Sequence, residues 1–266
     1  MPKDYGLYIH IPFCAQKCHY CDFNSKAAEE DLIKRYLNAL QEEIKLIANK
    51  YNTPKLRTIY IGGGTPTILS GQQLSQILQQ CRQEFKFKSD LEVTMEANPG
   101  TLTKEKLKLT KQAGVNRLSL GVQSFNEQLL AKLGRIHSKD DVITSYRLGR
   151  ELGFNNISFD LMFALPGQSL SEWENTLQQT IQLGPEHISA YNLKIEEDTI
   201  FGQWLKEGKI EKVDQELDLK MYRRTIELLE KNNYYQYEIS NFSKRGYNSR
   251  HNKIYWKNHE YLALGP

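Results

Sequence analysis

"HIPFCAQKCHYCDF", residues 10–23, carries three of the four cysteines of this 266-residue chain. Three residues separate Cys14 from Cys18, and two separate Cys18 from Cys21. The thiolate is the metal-binding form of cysteine, and so tight a group points to one shared centre. Structural zinc takes four protein ligands, commonly from paired C-x2-C units, and no second pair follows here. His19 and Asp22 are near neighbours that compete for the same small loop. An iron–sulfur cube ordinarily takes four thiolates. Three leave one iron without a protein ligand, and an open metal position is how a site admits a small molecule.

The fourth cysteine reads differently. In "LSQILQQCRQEF", residues 74–85, Leu74, Ile77, Leu78, Cys81 and Phe85 recur at helical spacing. Cys81 belongs to an apolar helix face, where a free thiol behaves as a small hydrophobe.

Outward from the cysteines, six segments have strand character: "GLYIHI" (6–11), "RTIYIG" (57–62), "LEVTMEAN" (91–98), "RLSLGVQ" (117–123), "NISFDLM" (156–162) and "HISAYNL" (187–193). Helical stretches lie between them. The first, 29–50, puts Leu32, Ile33, Tyr36, Leu40, Ile44 and Ile47 on one side; others begin near Gln72, Lys104, Lys139 and Ser171. Repeated strand-then-helix units predict a parallel sheet with right-handed crossovers.

The strands alternate instead of being apolar throughout. Leu7, Ile9 and Ile11 oppose Tyr8 and His10; Leu91, Val93 and Met95 oppose Glu92, Thr94 and Glu96; Ile157, Phe159 and Leu161 oppose Ser158 and Asp160. Bulky branched residues fill a closed eight-strand barrel, and the second set here is small or polar. We therefore expect an α/β fold of the open, partial TIM-barrel kind, (β/α)6, curved around a polar lumen. Cys14, the "GGGTPT" at 62–67, Glu96, Gln123, Asp160 and Asn192 all fall at strand ends. Barrel chemistry sits at that rim.

Composition bounds the function. Hydrophobic content is 39% and the formal net charge is +3, too small to imply a polyanion partner. No apolar run approaches the ~18 residues of a membrane helix, and the first residues lack a signal peptide's apolar stretch. These features predict a cytoplasmic protein without a membrane span.

"CAQKCHYC" resembles the CxxxCxxC signature of the radical S-adenosylmethionine (SAM) superfamily, with Tyr20 before the last cysteine and "GGGTP" at 62–66 in agreement. The order of "LYIHIPFC", "MEANPG", "RLSLGVQSF", "LGRIH" and "FDLMFALPGQ" is similar to the coproporphyrinogen-oxidase-like branch. The resemblance implies a [4Fe–4S] cluster on Cys14, Cys18 and Cys21, and one or two SAM molecules. It implies that Tyr8, Tyr20, Gly63, Gly64, Thr65 and Glu96 line a SAM site, with Gln123, Arg135 and Asp160 completing a polar ring. Arg135 is expected to pair a carboxylate bidentately.

Two departures select within the branch. Its oxidases resemble CxxxCxxCxC, whereas this chain has Phe23 at the last place, and Cys14 lies almost at the start without a preceding arm. Both features are similar to the HemW-type haem chaperones. "HNKIYW", residues 251–256, resembles that group's haem-binding motif, which makes His251 an expected ligand of haem iron. Haem transfer to a haem-dependent protein is the implied function, with coproporphyrinogen III oxidation as the alternative. The basic, aromatic tail at 243–261 also suits nucleic acid; without a separate RNA-binding module or second cysteine cluster, an RNA-modifying role ranks third. We expect residues 1–232 to form the barrel. Residues 233–266 are expected to begin a C-terminal region cut short at "EYLALGP".

Overall fold

Alternation along a strand assigns one set of side chains to each face of a sheet. The computed structural model describes residues 4–266, and all six expected segments are strands: β1 (Asp4–Ile11), β2 (Lys55–Gly63), β3 (Lys86–Ala97), β4 (Arg117–Gln123), β5 (Ile157–Phe163) and β6 (His187–Asn192). They pair in parallel and in chain order. Helices α1 (Glu30–Lys50), α2 (Gly71–Glu84), α3 (Lys104–Gln112), α4 (Glu127–Lys132), α5 (Lys139–Glu151) and α6 (Leu170–Leu183) lie between them, with α7 (Ile200–Lys206) and α8 (Gln215–Lys231) after β6. No helix among the described residues is long and apolar enough to cross a membrane.

Helix α2 begins one residue before the predicted Gln72, and α6 one before Ser171. Local hydrogen bonding explains both. Ser70 with Gln73, and Ser169 with Glu172, form reciprocal capping boxes that satisfy the first-turn donors.

The apolar set packs outward: Leu7, Ile9, Ile59, Ile61, Val93, Met95 and Leu118 are all buried in one core with Leu40, Ile44, Leu74 and Cys81 of the helices. The opposite set faces inward. Register places Tyr8 beside Tyr60, Thr94 beside Arg117, and Ser119 beside Ser158.

The sheet extends past six strands. β7 (Tyr235–Gln236) and β8 (Asn241–Ser243) join antiparallel beyond β6, and β9 (Tyr261–Leu264) joins parallel to β1. The order is β9-β1-β2-β3-β4-β5-β6-β8-β7, with two open ends. Between β8 and β9 the chain crosses the lumen at the N-terminal end of the strands, through the short helix α9 (Asn252–Trp256). Ile254 fills the space that a side chain on Gly6 would need, its Cδ1 2.6 Å from an ideal Cβ there. The room that alternation reserves inside the sheet is thus partly taken by the chain's own tail.

The buried carboxylate of Glu92 fastens this floor. It accepts from the backbone N–H of Arg250 at 3.0 Å and of His251 at 3.1 Å. Hydrogen bonds to charged groups contribute about 1.5–3 kcal/mol. Glu92→Ala is expected to lower unfolding free energy by roughly 3 kcal/mol and to speed amide exchange across 249–256. A chemical-denaturation midpoint equal to that of wild type would remove Glu92 as the floor anchor.

Candidate functional site at the strand C-termini

Backbone contacts fix the cysteine loop before any side chain does. Phe13–Cys14 forms a two-residue parallel ladder with Lys26–Ala27. Gly64 N donates to Ile11 O at 2.8 Å, and Thr65 N donates to Phe13 O at 2.7 Å. A Cβ on Gly64 would stand 2.6 Å from Phe13 O and 2.9 Å from Cys14 Sγ. Residue 64 must therefore lack a side chain for the two loops to meet. Thr65 Oγ1 completes the contact at 3.6 Å from Cys14 Sγ.

His19, weighed above as a metal ligand, is an anchor instead. Its N–H donates to Leu133 O at 3.0 Å, and its carbonyl accepts from Phe201 N at 2.8 Å. Its Nδ1 lies 2.9 Å from Lys132 O, and its ring meets Trp204 edge-on at 4.9 Å. Tyr20 packs beneath it on Leu129, Leu133, Leu165 and Phe201. The helix that supplies Phe201 and Trp204 is α7, which carried no signal in the strand-and-helix pattern.

Arg135 joins this loop to the barrel. Its Nη1 donates to Cys18 Sγ at 3.5 Å, and its Nη2 donates to Asn98 Oδ1 and Gly121 O, both at 2.8 Å. Burial opposes the charge, and the neighbouring Tyr20 and Cys18 outweigh that effect. Two further residues, unassigned by sequence, hold the guanidinium: Asn98, and the buried His137, whose Nδ1 accepts from Arg135 Nε at 3.4 Å. Burial, followed by the Arg135 charge, lowers His137 to about 4, so it stays neutral. The fork expected to grip a ligand carboxylate is largely committed to the protein itself. Gln123, with a left-handed φ of 63° at the end of β4, reaches the same place. Its Nε2 and Arg135 Nη2 lie 3.3 and 3.2 Å from an ideal Cβ on Gly121.

The carboxylates stand on the adjoining strands. Glu96 accepts from Tyr60 Oη at 2.7 Å and from Gly63 N at 3.2 Å. Burial raises it to about 7, against the Tyr60 hydrogen bond and with the Asp160 charge adding to the rise. Asp160 accepts from Ser119 Oγ at 2.9 Å and Ser158 Oγ at 3.2 Å, and burial raises it too. Tyr8 stacks on Tyr60 with ring centroids 6.2 Å apart, and its hydroxyl lies 3.0 Å from His10 Nδ1. Asn192, also at a strand end, turns outward toward Asp218 at 3.4 Å.

His251 lies elsewhere. It is 1% exposed on the floor, with Nδ1 2.7 Å from Thr58 Oγ1 and Nε2 2.9 Å from Tyr255 Oη. Burial holds it neutral by lowering it to about 3. Both ring nitrogens of this buried side chain are engaged in hydrogen bonds. Tyr60 separates it from the rim, its ring 5.1 Å from the imidazole.

The donor set fits an iron–sulfur cluster. Three thiols share one docked loop, and burial, with Cys18 and Cys14 nearby, pushes the Cys21 thiol up. Such thiols gain most from a cationic centre, and the Arg135 guanidinium offsets thiolate charge. Among the described residues no three His, Cys, Asp or Glu side chains are gathered as a single-ion site. The thiols are neighbours, not a preformed cage for one ion.

The chain matches the radical SAM superfamily over residues 8–180. It is 47% identical over 261 residues to the heme chaperone HemW of Bacillus subtilis (strain 168), covering 98% of this chain and 69% of that protein. To the heme chaperone HemW of Escherichia coli (strain K12) it is 40% identical, over 98% of this chain and 68% of the other. Among solved structures, coproporphyrinogen III oxidase (HemN) from Escherichia coli superposes with a TM-score of 0.87 at 25% identity. That match covers 99% of this chain and 64% of that one.

Two outcomes follow from the site's geometry. Gly64→Ala is expected to displace Cys14 and abolish iron–sulfur reconstitution, whereas Cys81→Ala, deep in the core, keeps its iron; quantitative iron and sulfide analysis reads both. Glu96 takes up a proton near pH 7 when folded, against an ordinary value of 4.5. The folded state binds that proton more readily, so the stability it contributes is complete below about 4.5 and is lost as pH rises through about 7. Glu96→Gln removes this dependence, and any amide hydrogen-bond penalty is the same at every pH. The variant should therefore gain stability relative to wild type between about pH 5 and about pH 8. A pH-independent difference in denaturant titrations would contradict the assignment.

Proposed function

This chain belongs to the radical SAM superfamily and to its HemW group, and from that premise we propose that it acts as a haem chaperone. In this reading it binds haem in the cytoplasm and passes it to haem-dependent proteins. Cys14, Cys18 and Cys21 would hold a [4Fe–4S] cluster, which together with SAM would supply one-electron chemistry.

The protein's own part is positioning. Gly63 and Gly64 keep side chains away so that a polar ligand can approach the backbone, with Thr65, Tyr8 and Tyr20 around it. Glu96, when ionised, attracts an ammonium group, and Asp160 accepts from hydroxyls or an ammonium. Gln123 offers an amide from the end of β4. Arg135 steadies the loop through Cys18 and offsets the charge that thiolates bring.

The observation that carries the chaperone over the oxidase is relatedness: 47% identity to a HemW relative against 25% to the HemN structure. Phe23 supports it, standing 63% exposed where the oxidase pattern has a further cysteine. The test compares activities on one anaerobically reconstituted sample. Haem titration should give saturable binding and transfer to an apo haem protein, with no SAM-dependent conversion of coproporphyrinogen III. Conversion to protoporphyrinogen IX would assign the protein to the oxidases. Cys14→Ala, Cys18→Ala and Cys21→Ala should each lose the cluster; a stable cluster without Cys18 would overturn its ligation.

A further inference from the structure

Lys106 breaks a local rule of helix chemistry. It stands in the first turn of α3, just after the N-cap Thr103, where the helix dipole disfavours a cation. A lysine side chain ordinarily reaches into water, yet this one turns back into the protein and is half-buried. Burial works against its charge. Its Nζ donates to Thr101 O at 2.9 Å and also to Thr67 O. Those carbonyls belong to two different rim loops. Thr67 lies in the short turn Pro66–Ile68 that follows the glycine run after β2. Thr101 ends the turn after β3, its N–H donating to Asn98 O at 3.1 Å. The hydroxyls of the two threonines complete the join. Thr101 Oγ1 donates to Asn98 O at 2.6 Å, which leaves the Thr67 hydroxyl to donate to Thr101 Oγ1, also at 2.6 Å. Thr67 Oγ1 then accepts from Asn98 N at 3.3 Å. Helices α2 and α3 come close behind this join, where a Cβ on Gly71 would stand 3.1 Å from Lys106 Cα.

Resting on the SAM-binding reading of the rim given above, we infer that Lys106 is a positioning residue of the SAM site, clamping the loop after β2 to the loop after β3. It acts through other residues, because its partners are two backbone carbonyls. On one side of the clamp are Gly63, Gly64 and Thr65, two to four residues before Thr67. On the other are Glu96, two residues before Asn98, and Asn98 itself, whose Oδ1 accepts from Arg135 Nη2 at 2.8 Å. The fit between the two sides is close: a Cβ on Gly62 would stand 3.0 Å from the carboxyl carbon of Glu96. A small ligand that carries both an ammonium and a carboxylate needs these groups at one fixed spacing, and a site left loose by about 1 Å loses much of its grip. Without the ammonium, the threonine hydroxyls alone hold the loops together. The unfavourable place of a lysine at the start of α3 is offset by that bridge.

The experiment uses the anaerobically reconstituted chain carrying its cluster. SAM affinity is read from the change in the electron paramagnetic resonance signal of the reduced cluster as SAM is added, and stability from denaturant titration of the same samples. Lys106→Met keeps the length of the side chain and removes its charge and donors. It is expected to weaken SAM on the order of tenfold, with iron content and the SAM-free signal of wild type. Lys106→Arg should recover most of the affinity, since a guanidinium still donates to two carbonyls. Thr101→Val removes the hydroxyl link to Thr67 and Asn98 and leaves the carbonyl for Lys106. It should weaken SAM several-fold, and combined with Lys106→Met its effect should not simply add, as for residues of one network. Wild-type SAM affinity in a destabilised Lys106→Met variant gives the lysine a structural role only and overturns the proposal, and so does strict additivity in the double variant. If Lys106→Met does not fold, Thr101→Val decides, and wild-type affinity there overturns the proposal equally. A wild-type cluster that shows no response to SAM is a different failure: it removes the SAM reading of the rim, and this inference falls with it.

Discussion

A polar lumen must be satisfied from within, and Tyr60 is the residue on which that depends. Polar groups out of water cost several kcal/mol unless hydrogen-bonded. The Tyr60 hydroxyl donates to Glu96 toward the rim, its ring lies against His251 toward the floor, and Tyr8 stacks on its side. One side chain therefore couples a carboxylate at the C-terminal rim of the strands to an imidazole buried on the floor. Thr58, two residues earlier on the same strand and face, takes the other edge of His251.

Two guanidiniums set the electrostatics around it. Arg117 is 2% exposed, and its Nε has no hydrogen-bond partner among the described residues. Its charge works through space, easing ionisation of Glu96 and Asp160 and disfavouring protonation of His187 and His251. Arg135 acts by contact, bound to Asn98, Gly121 and Cys18. Burial does most to keep the imidazoles neutral and opposes ionisation of the carboxylates, while the buried Arg117 cation favours neutral imidazole and ionised carboxylate alike.

Position along the strands then separates tasks. The cysteine loop is docked at the C-terminal rim by His19, Phe201 and Gly64, while the tail seals the opposite end through Glu92, His251 and Ile254. Thiols, carboxylates and open backbone gather at the rim, and aromatic rings, an enclosed imidazole and the Glu92 carboxylate gather at the floor. The same alternation that built the lumen thus leaves two chemically different ends.

Most of the strand-and-helix order, and the loop that carries the cysteines, were readable before folding. Period-two alternation told the outward face from the inward one, because a strand's side chains can only point to two sides. Cysteine spacing and the glycine run marked the cysteine loop and the backbone that docks on it, since close approach requires residues without a side chain. What pattern could not carry were contacts between distant segments. Asn98 and His137 gained their role only when β3 and the turn before α5 met around Arg135. His19 became an anchor only when α4 and α7 closed on it. The motif histidine shows the limit most plainly. A sequence motif names residue types, but burial and hydrogen bonding decide whether an imidazole nitrogen is free to bind a metal, and both are set by what packs against it. His251 and His259 are eight residues apart in the chain, and only the fold distinguishes the enclosed ring from the exposed one.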